Sequence, residues 1–300
     1  MLNDAQPLRF MSKDEFNSFP THTIFGMSTP GYAIAINSPS LKYKIFKVNG
    51  DEVLVLFKQV NMFSVHYKRL LGFPISKKGD RKLEKALFKK LCTIEDVTEM
   101  QLLESDANLH GLDTSKLEYE NVEFFVNPKE LSPTMNGKYR QRYQISKFID
   151  DLIYRDATPE DFEAIISLLN RWMSFKDDGE GVHSKPIYKN VIKDPYKYLL
   201  GDYTTKVLYY KDELFAFSVN YVVDDKVFQI TNIVDMFSDT FPKHLVKGGN
   251  RIPFYYLVKA FKDYEYISFM GSIDSKSNVF KNKQLVYKTY EKFFRVKFKK

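Results

Sequence analysis

The chain has 300 residues, of which 44% are hydrophobic and 16% aromatic, and its formal net charge is +7. This composition predicts a globular protein of two domains or one large domain and excludes a disordered chain. The single cysteine, Cys92, excludes an internal disulfide, and the sequence lacks both an apolar leader and a run of 18 apolar residues, so we expect a cytoplasmic protein.

The first half is predicted to begin with strands and to continue into a helix. In KIFKVNGDEVLVLFKQV (44–60), an Asn-Gly pair between two apolar runs predicts a β-hairpin. RKLEKALFKKLCTI (81–94) has the apolar period of a helix, and EYENVEFFV (118–126) predicts a strand. GKYRQRYQISKF (137–148) predicts a helix with one basic face.

The second half begins with residues that are typical of a helix N-terminus. In YRDATPEDFEAIISLLNRWMSF (154–175), Thr158 is predicted to cap a helix whose first position is Pro159. The segment 206–235 predicts two further hairpins, with turns at Lys211-Asp212 and at Asp224-Asp225. The first of these turns matches the turn of the hairpin at 44–60, which predicts two related halves.

The remaining elements complete the second half. We expect a helical stretch near 186–199, a helix at 251–264, a strand at 265–272, a charged helix at 281–292 and a final strand at 293–298. The last twenty residues hold eight Lys or Arg and one Glu, so this segment carries a charge equal to that of the whole chain.

These elements resemble the Gcn5-related N-acetyltransferase (GNAT) superfamily. RDATPEDFEAIISLL is similar to the first strand and helix of such domains, and NKQLVYKTYEKFFRVKF is similar to their closing segment, with Asn282 and Tyr290 at the matching positions. The chain from about residue 30 resembles the double-GNAT proteins, which include Fem-type peptidoglycan aminoacyltransferases and the carboxy-terminal domain of phosphatidylglycerol lysyltransferases. It shares with them an L…GK..R.R..I..F pattern between the halves and a D…FK pattern near the end.

The resemblance implies an α+β fold with two GNAT-like domains in tandem. The first is expected at 1–152, including the basic connecting helix, and the second, the better-formed transferase domain, at 153–300. Each is expected to hold a mixed, mostly antiparallel sheet flanked by helices. Nothing in the sequence sets the oligomeric state.

The same resemblance implies acyl or aminoacyl transfer to an amine or hydroxyl, from acyl-CoA such as acetyl-CoA or from aminoacyl-tRNA. GNAT enzymes hold the donor pyrophosphate on a Gly-rich loop before a helix, where backbone N–H groups attract anions. KHLVKGGNRIPFYYL (243–257) stands at that place. Its glycine spacing departs from the family pattern, so a plain turn before a helix is the alternative. The donor-binding residues implied are Lys247, Gly248, Gly249, Asn250, Arg251 and Asn282.

Acyl transfer needs a base for the nucleophile and an acid for the leaving group. Asp274, which follows a predicted strand and matches the relatives' pattern, and Asp235, which ends another, are the candidate bases. Tyr287 and Tyr290 are the candidate proton donors. The alternative for each Asp is a turn or cap at a strand end, and for each Tyr a place in the core or on the surface.

No metal site is expected, because the five histidines are scattered and lack cysteine partners at ligand spacing. The alternative function is a nucleic-acid-directed GNAT-fold protein, either a base-modifying transferase or a binding module. Basic helices interleaved with aromatics suit phosphate contact and base stacking, although a solvated charged face explains any one such helix. The nucleic-acid candidates are Lys138, Arg140, Arg142 and Lys147.

Overall fold

A computed structural model describes residues 1–20, 26–62, 65–94, 96–130, 150–175, 185–249, 251–272 and 289–298. Within them the chain forms two compact units, the first made of 1–124, 270–272 and 289–298 and the second of 125–269. The predicted domain boundary after residue 152 stays a prediction.

The described part of the chain contains both strands and helices. The strands are β1 (Gln6–Pro7), β2 (Leu41–Val48), β3 (Asp51–Met62), β4 (Val65–Leu71), β5 (Ile75–Ser76), β6 (Val97–Leu103), β7 (Glu118–Val126), β8 (Leu152–Asp156), β9 (Tyr203–Tyr210), β10 (Glu213–Val223), β11 (Lys226–Val234), β12 (Tyr266–Ser272) and β13 (Thr289–Lys297). The α-helices are α1 (Lys13–Asn17), α2 (Pro30–Ala35), α3 (Arg81–Cys92), α4 (Glu104–Leu109), α5 (Phe162–Phe175), α6 (Lys185–Lys193), α7 (Lys243–Gly248) and α8 (Arg251–Ala260). Short 3₁₀ turns and one π-helical stretch, Tyr196–Gly201, connect them.

The predicted hairpin turns are confirmed. Asn49 and Gly50 both have positive φ, as do Lys211 and Asp224 in the two later turns. Two-residue turns of this hand match the right-handed twist of the strands they join. The hairpins β2–β3, β9–β10 and β10–β11 are antiparallel as expected.

The first unit is a mixed sheet in the hydrogen-bonded order β1-β2-β3-β4-β6-β13-β7, with β5 paired to β3. β4 and β6 run parallel, and β13 runs antiparallel to β6. α3 begins where the Asp80 side chain accepts hydrogen bonds from the backbone N–H groups of Lys82 and Leu83. Leu87 and Leu91 of this helix pack into the core of the unit with Phe294 of β13.

The end of the chain departs from the sequence prediction. Residues 289–292 are strand rather than the predicted helix, while 281–288 lie outside the described residues. β13 pairs with β6 of the first unit from Phe293–Leu103 to Lys297–Glu99, instead of completing the second half. Strand pairing joins residues far apart in the chain, so the local pattern of 293–298 predicted a strand but not its partner.

An ion-pair ladder fixes β13 within the first unit. Arg295 bonds to Glu120 of β7 and lies near Glu99 of β6. Arg69 of β4 contacts the same two carboxylates, at 2.6 Å to Glu99 and 3.0 Å to Glu120. These four side chains are largely buried, at 15% to 26% exposure, so removing one leaves charge poorly solvated.

The second unit is a sheet in the order β12-β11-β10-β9-β8. β8 to β11 are antiparallel, and β11 and β12 are parallel. One face packs on α7 and α8 through a cluster that includes Leu208, Ala216, Val234, Leu245 and Ile252. α5 contacts β10 and β11, and its residues Phe162, Ile165, Leu168 and Leu169 are buried.

The start of α5 is fixed by one buried carboxylate. Thr158 and Pro159 take the predicted capping positions, and the Asp161 side chain accepts the Thr158 N–H at 2.7 Å. Arg155 makes a bidentate pair with Asp161 at 2.6 and 2.7 Å, and the Tyr209 hydroxyl donates to it at 2.6 Å. Burial alone would raise the pKa of Asp161, but these donors outweigh burial and lower the pKa to about 2.

We expect Arg295→Ala to lower the free energy of unfolding by about 1–3 kcal/mol, because it leaves Glu120 and Glu99 with one cation fewer in a largely buried ladder. Urea denaturation measures the change. Lys297→Ala is the matched control on the same strand: Lys297 pairs with Glu118 but is 62% exposed, so its loss should cost under about 0.5 kcal/mol. Equal losses in both variants would contradict a stabilising role for the ladder.

We expect Asp161→Asn to destabilise the protein at neutral pH, by about 1–3 kcal/mol. The folded pKa of Asp161 lies below its ordinary value of 3.8, so its contribution is present above pH 4 and is lost as the pH falls towards about 2. Unfolding curves at several pH values should therefore converge for the wild type and the variant in acid. A gap that persists unchanged at the lowest pH would rule out the charged form as the cause.

Candidate active site

The parallel strands of the second unit pair over a short distance. Among the described residues, the register of β11 with β12 consists of Lys226–Tyr266, Val227–Ile267 and Phe228–Ser268, at the start of both strands. β11 continues to Val234 beyond this point. The backbone of 229–234 therefore lies at a place where the parallel ladder has ended.

A β-bulge lies immediately beyond the last of these pairs. Val219 of β10 is opposite Thr231, but the next residue, Asn220, is opposite Gln229, so Ile230 is an extra residue on β11. The extra residue of a bulge lies outside the regular ladder, and bulges are frequent next to active sites because they redirect backbone groups. This bulge and the end of the parallel pairing together define the candidate active site.

Buried polar side chains surround the bulge. Asn220 and Ser218 of β10 are buried, and so is Thr231 of β11. The Asn220 amide donates to the backbone carbonyl of Thr204 at 2.9 Å, while its Oδ1 has no hydrogen-bond partner within the described residues. The Thr231 hydroxyl lies 3.4 Å from that of Tyr188 on α6. A buried acceptor without a donor is costly, so it marks a place suited to a hydrogen-bonding group of a ligand.

Packing and backbone conformation explain the two glycines of the predicted donor loop. Gly248 is buried, and a Cβ there would come within 2.5 Å of the Ile252 side chain. Gly249 has φ +47° and ψ −136°, a conformation that glycine adopts far more readily than other residues. Lys247 is exposed at the end of α7, and Arg251 begins α8. The donor-binding role of this segment stays a prediction.

Asp235 lies at the end of β11, as predicted, and its carboxylate is engaged on both oxygens. Oδ1 accepts the N–H groups of Phe237 and Ser238 at 3.2 and 3.1 Å, and Oδ2 pairs with Arg171 of α5 at 2.8 Å. Asp235 is 1% exposed, whereas the Arg171 side chain is 49% exposed. The geometry fits a residue that holds a turn and orients an arginine, and the role of base stays a prediction.

Most of the other predicted site residues lie outside the described part of the chain. Tyr290 lies on β13 in the first unit, where the backbone is described. The predicted residues outside the description are Lys138, Arg140, Arg142, Lys147, Asn250, Asp274, Asn282 and Tyr287. Their roles stay predictions.

Burial raises the pKa of the Cys92 thiol to about 11, so it is protonated at neutral pH and unsuited to nucleophilic attack. Within the described residues, no group of three or more His, Cys, Asp or Glu side chains is arranged to hold a metal ion. No helix of the described chain has the length and apolarity required to cross a bilayer.

Sequence reasoning missed Asn220, Ser218, Thr231 and Arg171. The run LFAFSVNYVV (214–223) places two polar residues two apart in an otherwise apolar strand, which was an available indication of a polar site inside a core. Arg171 had no comparable indication, because it is a single cation on an amphipathic helix. Arg171 and Asp235 are 64 residues apart in the sequence, so their contact forms only when the chain folds.

Comparisons with known structures define the fold. No family model matches the sequence, and no curated protein matches it. A conserved protein of unknown function from Bacteroides thetaiotaomicron superposes with a TM-score of 0.68 at 13% identity, covering 99% of both chains. FemX gives 0.60 at 10% identity, covering 94% of this chain and 96% of its own. The carboxy-terminal domain of a putative lysylphosphatidylglycerol synthetase from Agrobacterium fabrum gives 0.59 at 12% identity, covering 96% and 93%.

The chain therefore has the double-GNAT fold that the sequence resemblance implied, shared with FemX and with the lysylphosphatidylglycerol synthetase domain. The predicted α+β class, with mostly antiparallel mixed sheets flanked by helices, is confirmed. At these identities the likeness establishes the fold, and the activity has to be argued from the site.

We expect Gly249→Ala to destabilise the protein by about 1–3 kcal/mol, because alanine is strained at its positive φ. Thermal or urea unfolding without any ligand measures the effect. The control is Gly201→Ala, where the nearest atom to a new Cβ is 4.0 Å away and φ is ordinary; this change should stay within about 0.5 kcal/mol of the wild type. If Gly249→Ala leaves stability unchanged, the structural reason for this glycine is wrong.

Proposed function

We propose that this chain is a cytoplasmic transferase that moves an acyl or aminoacyl group from a thioester or from aminoacyl-tRNA to an amine or hydroxyl. The observation that carries the proposal is the bulge at Ile230, which directly follows the end of the β11–β12 pairing. The fold supports the same class, since FemX and a putative lysylphosphatidylglycerol synthetase share it.

The bulge suits the chemistry of a carbonyl donor. When a nucleophile attacks a thioester or ester, the carbonyl oxygen gains negative charge, and fixed backbone N–H groups stabilise it best where water is excluded. Buried residues flank the bulge on both strands, including Val219, Asn220 and Thr231. A donor carbonyl beside Ile230 would meet backbone groups that the ladder does not use.

The reaction is a substitution at the carbonyl carbon. The nitrogen or oxygen of the acceptor forms a bond to this carbon, and the bond to the CoA sulfur or to the tRNA ribose oxygen breaks. A base takes the proton of the acceptor, and an acid returns a proton to the leaving group. We assign the base to Asp274, with Asp235 orienting Arg171 instead, and the acid to Tyr287 or Tyr290. No step requires a metal ion.

The donor is proposed to contact the segment from Lys247 to Arg251, together with Asn282. Lys247 is an exposed cation at the end of α7, suited to a phosphate. Because packing and backbone conformation already account for both glycines, the cations rather than the glycines support anion binding here. A tRNA donor would also use the predicted basic face at Lys138, Arg140, Arg142 and Lys147.

Transfer of labelled acyl groups from acetyl-CoA or from aminoacyl-tRNA to a panel of amines tests the proposal, with thermal shift as a separate measure of donor binding. We expect one donor to raise the melting temperature and to be consumed. Asp274→Asn should lower kcat by roughly 10²–10⁴-fold, because it removes the base, with little change in the thermal shift. Asp263→Asn, at an exposed position between α8 and β12, is the matched control and should retain activity.

Two results would decide against this function. If neither donor produces a thermal shift, the proposed donor site is wrong. If the Asp274 and Asp263 variants are equally active, Asp274 is not the base. If tRNA is the donor, its binding should weaken with salt and should fall in an Arg140→Ala/Arg142→Ala double variant.

A further inference from the structure

A pocket of about 480 Å³ lies at the far end of β11 from the start of its pairing with β12. Its walls come from α5, from the turn that begins β10 and from the segment after β11. Asp235 lines the pocket and lies five residues after the bulge at Ile230 in the sequence. An extended strand rises about 3.3 Å per residue, so the pocket is separate from the proposed site of acyl transfer.

An exposed aromatic pair forms one wall. The rings of Phe175 and Phe237 are stacked, with centroids 4.0 Å apart and planes at 14°. They are 54% and 41% exposed, and the neighbouring Met236 is 48% exposed. Single exposed apolar residues are ordinary, but three together beside a pocket are characteristic of a binding surface. The ring faces also attract cations.

The charges of the pocket favour a cation. It is lined by three carboxylates, those of Asp212, Glu213 and Asp235, against one guanidinium, that of Arg171. Arg171 is already paired with the buried Asp235, which leaves Asp212 and Glu213 as the charges available to a ligand. The Thr240 hydroxyl donates to Glu213 at 2.6 Å, so this carboxylate is held in place.

We infer that this pocket binds a small organic cation, with a protonated amine near Glu213 and Asp212 and an apolar or aromatic body against Phe175 and Phe237. Arg171 contributes a polar part of the lining, held by Asp235 and by its 3.1 Å contact with Ser167. The inference does not depend on acyl transfer, since it concerns binding alone.

Isothermal titration calorimetry with three probes of nearly equal shape tests the inference: 2-phenylethylamine, which is protonated at pH 7, neutral 2-phenylethanol and anionic phenylacetate. We expect the amine to bind about fivefold or more tightly than the alcohol, and phenylacetate to bind more weakly than either, because the ring faces and carboxylates attract positive charge. High salt should reduce the preference for the amine.

Two variants locate the preference within the pocket. Glu213→Gln keeps the shape and should reduce amine binding about threefold to fivefold while leaving the alcohol unchanged. Phe237→Leu keeps an apolar wall and should also reduce the preference, by removing one ring face. Glu163→Gln, an exposed carboxylate on the same helix α5 that does not line the pocket, is the matched control and should behave as wild type.

Equal binding of the amine and the alcohol would overturn the inference, as would stronger binding of phenylacetate or no saturable binding of any probe. A preference for the amine that survives Glu213→Gln and falls in Glu163→Gln would place the cation elsewhere and would equally reject the pocket. These outcomes are independent of the transfer assays, because no donor is present.

Discussion

The hydrogen bonding of β11 is the constraint on which the second unit depends. On one side β11 pairs antiparallel with β10 along most of its length, and on the other, among the residues that the structure describes, it pairs parallel with β12 for three residue pairs. Buried backbone groups must find partners, so a strand that loses its neighbour midway needs an explanation. The bulge at Ile230 lies at the same place, so the end of the pairing coincides with a defined irregularity of β11. Binding a carbonyl compound there is the explanation proposed above.

The buried carboxylates Asp161 and Asp235 of this unit have structural roles. Asp161 and Asp235 are both almost completely buried, and each is held by an arginine, together with one backbone N–H group for Asp161 and two for Asp235. The two differ in what their arginines do: Arg155 joins β8 to the start of α5, whereas Arg171 lies in the wall of an open pocket. A strand-end Asp in a sequence is therefore a weak guide to catalysis until its contacts are known.

The local features of the fold were predictable because they depend on neighbours in the chain. The hairpin turns at 49–50, 211–212 and 224–225 follow from residues that tolerate positive φ or favour turns, and the capping of α5 follows from Thr158 and Pro159. The helix at 81–94 and the strands at 118–126 and 265–272 agree with α3, β7 and β12. The double-GNAT fold could be anticipated because the order of such elements is itself a sequence property. Asn220 and Thr231 could not be predicted as site residues, because their place beside the bulge at Ile230 follows from the strand register, and the site residues that the sequence did predict stay predictions.

The sequence by itself thus determined many of the elements, because propensity, capping and apolar period act over a few residues, and its resemblance to the double-GNAT proteins indicated the class of fold. Tertiary structure decided which strand β13 joins, why Gly248 and Gly249 are glycines, and that Arg171 meets Asp235. The pairing of β13 and the contact between Arg171 and Asp235 depend on atoms brought together from distant parts of the chain, by strand pairing and by a buried charge that requires a partner, whereas the two glycines depend on packing against the nearby Ile252 and on the backbone conformation of the folded loop. Such contacts leave no periodic trace in the sequence, so the folded chain was needed to find them.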